Sequence, residues 1–325
     1  MHKILSLIIP VYNVEAYIEE CLNSVILQLD NRVEVIIIND GTPDYSMRIV
    51  DRCIKDLPRN LHNCFIILNQ ENQGQSVARN NALKICTGDY IAFLDSDDVI
   101  SKCYFLNIFN VVNSCEPDII RFKASRFKNK IEEQVVFDAG LNLDGFRELD
   151  NNLLTRIFNM GSWYPWLNVY KKEKIKDLLF PEGLYFEDAS IIPEVFLISN
   201  NIYFINKTLY FYRINELGSL LNTNRENVEK HILSYKCILK TYKKRLVENK
   251  LYTSPYISMY LLYILFLFKN KMYIFAFIEN SKFKKSKYLL SAELIQNKSS
   301  RLYFKIGLLF IFLSKTYSVL KSLCK

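Results

Sequence analysis

Three carboxylates occupy four positions at Asp95, Asp97 and Asp98, directly after the apolar run Tyr90–Leu94. In an extended segment Asp95 and Asp97 share one side while Ser96 faces the other. Like charges gathered at the end of a buried strand repel one another unless a counter-charge neutralises them. Mg²⁺ or Mn²⁺ suits that role, because hard cations prefer carboxylate oxygen and often complete their shell with a substrate's phosphates. The plainer alternative is an acidic helix start, since Asp is a good helix cap. Arg79, in the helical stretch before the run, adds a permanent positive charge. An acidic edge, a divalent cation and an arginine together suit a nucleotide diphosphate.

The elements that must position these groups are legible upstream. Ile4–Pro10, Val33–Asn39, Cys64–Leu68 and Tyr90–Leu94 are apolar runs of strand length, and Glu15–Gln28, Asp44–Lys55 and Gln75–Cys86 have helical spacing. Strands apolar on both faces, alternating with helices, predict an α/β fold with a mostly parallel sheet flanked by helices. Ligands of such sheets gather beyond the carboxyl ends of the strands. That rule brings Val11-Tyr12-Asn13, Asp40-Gly41, Asn69–Gly74 and Asp95–Asp98 to one edge. No G-x-G-x-x-G follows the first strand and no G-x-x-x-x-G-K-[ST] occurs, which excludes the dinucleotide and P-loop fingerprints.

Later segments are less regular. Asp118–Phe122 and Val135–Phe137 read as strands, Leu143–Phe158 as a helix, and Ile202–Phe204 and Thr208–Tyr212 as two late strands that pair. Glu226–Lys250 has helical spacing. Both tryptophans lie in Gly161–Tyr170. Trp163 and Trp166 are acceptor-side candidates that stack on a sugar, or they are core. Arg213 touches a diphosphate, or it pairs with an acid.

Composition narrows the class. With 50% hydrophobic residues, the 325-residue chain can bury a sizeable core. Eight Cys without a C-x-x-C pair, and only three His, argue against a zinc site or disulfide framework and for reduced thiols. The start of the chain lacks the long apolar region and cleavage site of a signal peptide, so a cytoplasmic protein is expected. Twelve of the 42 Lys and Arg, but only two of the 34 acids, lie in 269–325. The basicity therefore belongs to one end and predicts an anionic surface as partner, with no nucleic acid. Leu251–Phe268 is uncharged, but only Ile257–Phe268 is densely apolar, short for a span of roughly 20 residues. Leu302–Leu323 places Leu302, Ile306, Leu309, Leu313, Tyr317 and Leu320 on one stripe, with Lys305, Lys315 and Lys321 off it. That is the pattern of a helix lying in the headgroup plane, or of a helical cap on the protein's own core. The lysine excess favours the membrane surface.

Taken together, the chain resembles glycosyltransferase family 2, the inverting enzymes of the GT-A fold. The matching segments are Ser6-Leu-Ile-Ile-Pro-Val-Tyr-Asn13, Glu34-Val-Ile-Ile-Ile-Asn-Asp-Gly-Thr42, Asn72-Gln-Gly-Gln-Ser-Val-Ala-Arg-Asn80, Gly88–Asp98 and Glu187-Asp188. The similarity continues through Trp166-Leu-Asn-Val-Tyr-Lys171 and Leu209-Tyr-Phe-Tyr-Arg213. Within the family it resembles most the bacterial enzymes of capsule, O-antigen and exopolysaccharide synthesis. Asn39 stands where many relatives carry a first Asp, and the Q-x-x-R-W motif of processive synthases is missing, which implies transfer of a single sugar.

The resemblance implies a GT-A catalytic domain over 1–219, and the charge and patterning of the rest imply a helical, basic, membrane-associating region over 220–325. It implies that Pro10, Tyr12 and Glu15 line the nucleotide pocket, that Asp40 reads the base, normally uracil, and that Arg79 supports nucleotide binding. Asp95 and Asp97 become the D-x-D pair, with Asp97 as the ligand of Mn²⁺ or Mg²⁺, Asp95 near the ribose and metal, and Asp98 in support. Asp188 becomes the catalytic base, with Glu187 beside it, although an Asp there also caps a helix over Ala189–Ile198. The implied partners are a UDP-sugar and a glycan or polyprenyl-linked acceptor at the inner face of the membrane. A nucleotidyltransferase would need a Gly-rich, basic loop after the first strand, where this chain has Val11-Tyr12-Asn13-Val14-Glu15. An inactive membrane-attached scaffold would not need Asp40, the D-x-D pair and Asp188 all intact.

Overall fold

The structure is a computed structural model that describes residues 2–137, 141–215 and 225–311. Its elements, in chain order, begin with β1 (Leu5–Val11), α1 (Ile18–Ile26), β2 (Val33–Asp40), α2 (Ser46–Lys55) and the single turn α3 (Arg59–His62). β3 (Phe65–Gln70), α4 (Gln75–Ile85), β4 (Tyr90–Phe93), β5 (Val99–Ile100) and α5 (Tyr104–Cys115) follow. Then come β6 (Ile119–Phe127), β7 (Val135–Phe137), β8 (Gly145–Glu148), α6 (Asn151–Met160), β9 (Asn168–Lys171) and the single turn α7 (Lys172–Ile175). The chain continues through α8 (Glu187–Ile198), β10 (Asn201–Arg213), α9 (Arg225–Glu248), α10 (Thr253–Lys269), α11 (Tyr273–Ser286) and α12 (Lys298–Ile306).

One sheet runs in the order β3-β2-β1-β4-β9-β6-β10-β5, with β7 on β6 and β8 on β10. β1, β2, β3 and β4 pair in parallel, as do β6 and β10. β9 is antiparallel to both of its neighbours. β1 and β4 are buried along their whole length, which a parallel sheet covered on both faces demands. β3, at the edge, is only half buried.

A buried acid fastens the amino ends of these strands. Glu34, 3% exposed, accepts from Ser6 Oγ at 2.5 Å, Thr87 N at 2.5 Å and Gly88 N at 3.2 Å. Burial opposes its charge, but these donors outweigh that and hold its carboxyl below the usual range. Gly88 is required there, because a Cβ would stand 2.7 Å from Ser6 N.

Three expectations change. Leu143–Phe158 is not one helix: Gly145, at φ +82°, opens β8, and Asp150 then caps α6 by accepting from Leu153 N at 2.7 Å. Ile202–Phe204 and Thr208–Tyr212 do not pair with each other. They are halves of β10, which takes up register shifts between Ile205 and Tyr210 and stays on β6 throughout. Asn206-Lys207 lacks the glycine that a two-residue hairpin turn favours. The helix expected over Leu302–Leu323 is broken at Gly307, at φ +59°, where a Cβ would lie 3.5 Å from Asn280 Oδ1. Residues 312–323 of that stretch lie outside the described residues.

The chain divides into two compact units: Met1–Leu149 with Ser162–Gly183 and Glu187–Asn222, and Asp150–Gly161 with Leu184–Phe186 and Thr223–Lys325. The first contains the sheet. The second is helical, with α10 packed by α6, α9, α11 and α12. Lys250–Lys269 is long and apolar enough, by length and composition, to cross a membrane, yet its most apolar window is 78% buried in the structure. That burial is the pattern of a core helix.

Candidate active site

The site grows from the carboxyl end of β4. The chain leaves the strand and turns back, with Asp98 N donating to Asp95 O at 2.9 Å. The acids thus stand in a tight turn and not in the extended segment that strict alternation assumes. The turn separates their roles. Asp98 is fully buried, accepting from Tyr210 Oη at 2.6 Å and from Arg213 N at 2.7 Å. Burial, followed by the charges of Asp97 and Asp95, pushes its carboxyl well above the usual range. Asp98 therefore anchors the turn to β10. Tyr210 also accepts from Asp95 N at 3.2 Å, so a single hydroxyl holds both ends of the turn.

Asp97 is only partly buried. Among the described residues its carboxylate receives one long hydrogen bond, 3.4 Å from Asn215 Nδ2. Burial and then Asp95 raise its pKa. Underused oxygen ligands beside a second carboxylate fit a hard cation that takes its remaining ligands from substrate phosphate. No group of three or more His, Cys, Asp or Glu positioned for a metal exists among the described residues. A two-carboxylate site depends on the substrate to complete it.

Arg79 joins distant parts of the chain. It is 2% exposed; Nη2 donates to Asp95 Oδ1 at 2.9 Å and Nη1 to Glu187 Oε1 at 3.0 Å. Burial works against its charge, but Asp95, Glu187 and Asp188 outweigh it and keep the guanidinium protonated. Its Nε is a buried donor with no partner. Gln75, also on α4 and within the Asn72–Asn80 segment, donates to Asp95 Oδ1 at 2.9 Å, a role not read from the sequence.

Asp188 follows Glu187 in the first turn of α8, inside the helix and not at its cap. Its Oδ1 accepts from Ala189 N at 2.7 Å. Burial first, and then the Glu187 charge, push its pKa up to about 7, with Arg79 pulling the other way. A carboxylate poised there can take a proton from a hydroxyl near neutral pH.

The remaining expected residues are placed less directly. Asp40, 3% exposed, accepts from Gln70 Nε2 at 2.8 Å, Gln73 N at 2.9 Å and Gly74 N at 2.9 Å. It thereby fixes the entry to α4, the helix that carries Arg79. Pro10 is buried in β1, and Tyr12 is 45% exposed. Glu15 Oε2 accepts from Tyr45 N at 2.9 Å while its own N donates to Asp44 Oδ2 at 2.8 Å, clasping the loops after β1 and β2. Arg213 takes its pairing role, with Nη2 on Glu20 at 2.5 Å and Nε on Asp97 O at 2.8 Å. Trp163 and Trp166 are corrected to core, at 6% and 3% exposed. Trp166 lies stacked between other rings, 4.3 Å from Tyr210 and 4.9 Å from Tyr164, so neither of its faces is free for a sugar.

Known proteins resemble this chain in sequence and in fold. Residues 6–159 match the family described as Glycosyl transferase family 2. The chain is 32% identical over 225 residues to the glycosyltransferase GlyA of Streptococcus pneumoniae, covering 66% of this chain but only 31% of that protein. The structure is similar to that of S. aureus TarS 1–349 in complex with UDP-GlcNAc, with a TM-score of 0.69 at 20% identity over 94% of this chain and 92% of that one. It is also similar to the mannosyltransferase PcManGT from Pyrobaculum calidifontis in complex with GDP-Man and Mn²⁺, with a TM-score of 0.54 at 14% identity, covering 96% and 86%. At these identities the two solved structures establish the fold.

Proposed function

We propose that this chain, which carries a glycosyl transferase family 2 domain, moves one sugar from a nucleotide sugar to an acceptor hydroxyl with inversion at the anomeric carbon. The observation that carries the reading is Arg79, which ties the D-x-D turn to the Glu187-Asp188 turn through two ion pairs. The acids assigned to the cation and a base tuned to about pH 7 thus belong to one constellation. The donor is a UDP-sugar, in keeping with the UDP-GlcNAc held by the TarS relative. Tyr12, with its exposed ring, Pro10 and Glu15 form the nucleotide end, and Asp40 acts there by holding the Gln73–Gly74 backbone.

Asp97, with Asp95, would hold Mn²⁺ or Mg²⁺. Bound there, the cation would supply Lewis-acid stabilisation to the departing diphosphate. The residues of the chain do the rest. Asp188 removes the proton of the acceptor hydroxyl as its oxygen forms the new bond to the anomeric carbon. The carbon–oxygen bond to phosphate breaks on the opposite face and its electron pair leaves with the diphosphate. Arg79 keeps Asp95 and Glu187 in place without neutralising Asp188. The acceptor is a glycan, lipid-linked, in bacterial surface polysaccharide synthesis, and the protein works at the inner face of the membrane.

A panel of nucleotide sugars, scored for Mn²⁺-dependent donor hydrolysis and for UDP binding by calorimetry, tests the assignment. At least one UDP-sugar should be turned over by the wild type, and Asp97→Ala should lose both turnover and Mn²⁺-dependent UDP binding. Mn²⁺-dependent UDP binding by Asp97→Ala equal to that of the wild type would remove Asp97 as the ligand.

A further inference from the structure

The helical unit contains a pocket of about 360 Å³ whose chemistry the sugar-transfer reading leaves unused. Lys236, Lys240 and Lys243 of α9 line one wall, and Lys282 and Lys285 of α11 another. The α9 lysines follow i, i+4, i+7 and so share one face, an arrangement of like charges that costs helix stability by itself. Glu279 is the single acid of the lining, 7% exposed, and Lys282 occupies it at 2.7 Å. Among the described residues the other four ammonium groups have no acidic partner. The floor is Tyr256 and Tyr260, whose buried hydroxyls stay protonated, that of Tyr256 donating to Ser286 Oγ at 3.1 Å. A cavity of this size, walled by ammonium groups and floored by hydroxyls, selects a phosphate-bearing anion.

A second feature says how that phosphate is carried. The first half of α11 exposes Ile274 (75%), Phe275 (55%) and Ile278 (47%). Ile274, Ile278, Lys282 and Lys285 follow i, i+4, i+8, i+11, so apolar and basic side chains lie in sequence along one face. Ile278 is about 6 Å along the axis from Lys282. We propose that the pocket binds the phosphate headgroup of an anionic lipid, whose hydrocarbon lies along Ile274, Phe275 and Ile278. This membrane contact is separate from the stretch 302–325 and does not depend on the catalytic reading.

Co-sedimentation of the full chain with phosphatidylcholine vesicles, with and without phosphatidylglycerol, tests the proposal. The wild type should bind only the anionic vesicles. Replacing all three α9 lysines (K236Q, K240Q, K243Q) should weaken that binding by about 100-fold, with the unfolding temperature and donor hydrolysis unchanged. Replacing Phe275 and Ile278 by Ser should also release the protein although every lysine remains. Retention by the lysine variant equal to wild type would overturn the pocket assignment. Calorimetric binding of inorganic pyrophosphate by a chain that ignores anionic vesicles would overturn the lipid as its source.

Discussion

Replacing Asp188 by Asn should make the protein more stable while stopping the reaction, and the two effects come from one proton. In the folded chain burial and the neighbouring Glu187 lift Asp188 from 3.8 to about 7, with Arg79 opposing and Asp95 adding to the lift. A carboxyl whose folded pKa is raised stabilises the fold below its unfolded value and loses that contribution as pH climbs through the folded value. The displacement, roughly 3 pH units, sets an upper bound of about 4 kcal/mol, and about 2 kcal/mol once partial exposure is allowed for. Asn carries no such penalty and keeps an oxygen for Ala189 N. The variant should therefore match the wild type near pH 4, then gain over it up to about pH 7 and hold that lead above, by about 4–8 °C in Tm. Transfer runs the opposite way. Wild-type kcat/KM should climb with pH to a plateau above about 7, and the variant should lose about 10²–10⁴-fold in kcat with UDP affinity intact. Calorimetric scans from pH 4 to 8 beside a coupled UDP-release assay read both. Transfer at the wild-type rate by Asp188→Asn, or a Tm difference that does not grow between pH 4 and 7, would refute the argument.

Two further substitutions separate the roles of neighbouring groups. Arg79→Met leaves the partly buried Asp95 and Glu187 without their cation, so stability should fall by about 2–3 kcal/mol in urea unfolding. The Asp188 limb of the rate profile should then move up by about 1 pH unit, while Arg79→Lys keeps the limb near its original position; a limb unmoved in Arg79→Met would mean that Arg79 does not act on the base. Trp166→Phe should lower Tm by a few degrees and leave the acceptor KM alone, because Trp166 is buried between Tyr164 and Tyr210. A tenfold rise in acceptor KM at unchanged Tm would return Trp166 to the acceptor side.

What the sequence disclosed follows the range of the forces involved. β1 to β4 were legible because a strand buried on both faces must be apolar throughout, and the short length and β-branched content of these runs separate them from buried helix. The D-x-D turn was legible as chemistry, since three acids after such a run require an explanation. Its geometry was not. Whether Asp97 or Asp98 faces outward is decided by Tyr210 and Arg213, more than 110 residues away, and nothing near Asp95 encodes that partnership. The pairing of Ile202–Phe204 with Thr208–Tyr212 was misread for the same reason. β10 holds its course against β6 through two register shifts, and periodicity cannot distinguish a bulge from a turn when no glycine marks either. Tryptophans present the converse case. An aromatic pair beside Pro165 has the composition of a sugar platform, and only the packing of Tyr210 against Trp166 makes it core. Asp40 shows the limit most sharply, because its position in the chain points to the nucleotide while its oxygens are taken by Gln70, Gln73 and Gly74. A residue in such a place acts on the ligand through the loop it holds. Its substitution should therefore disturb Arg79 as well as the base, and local sequence shows only the first of those links.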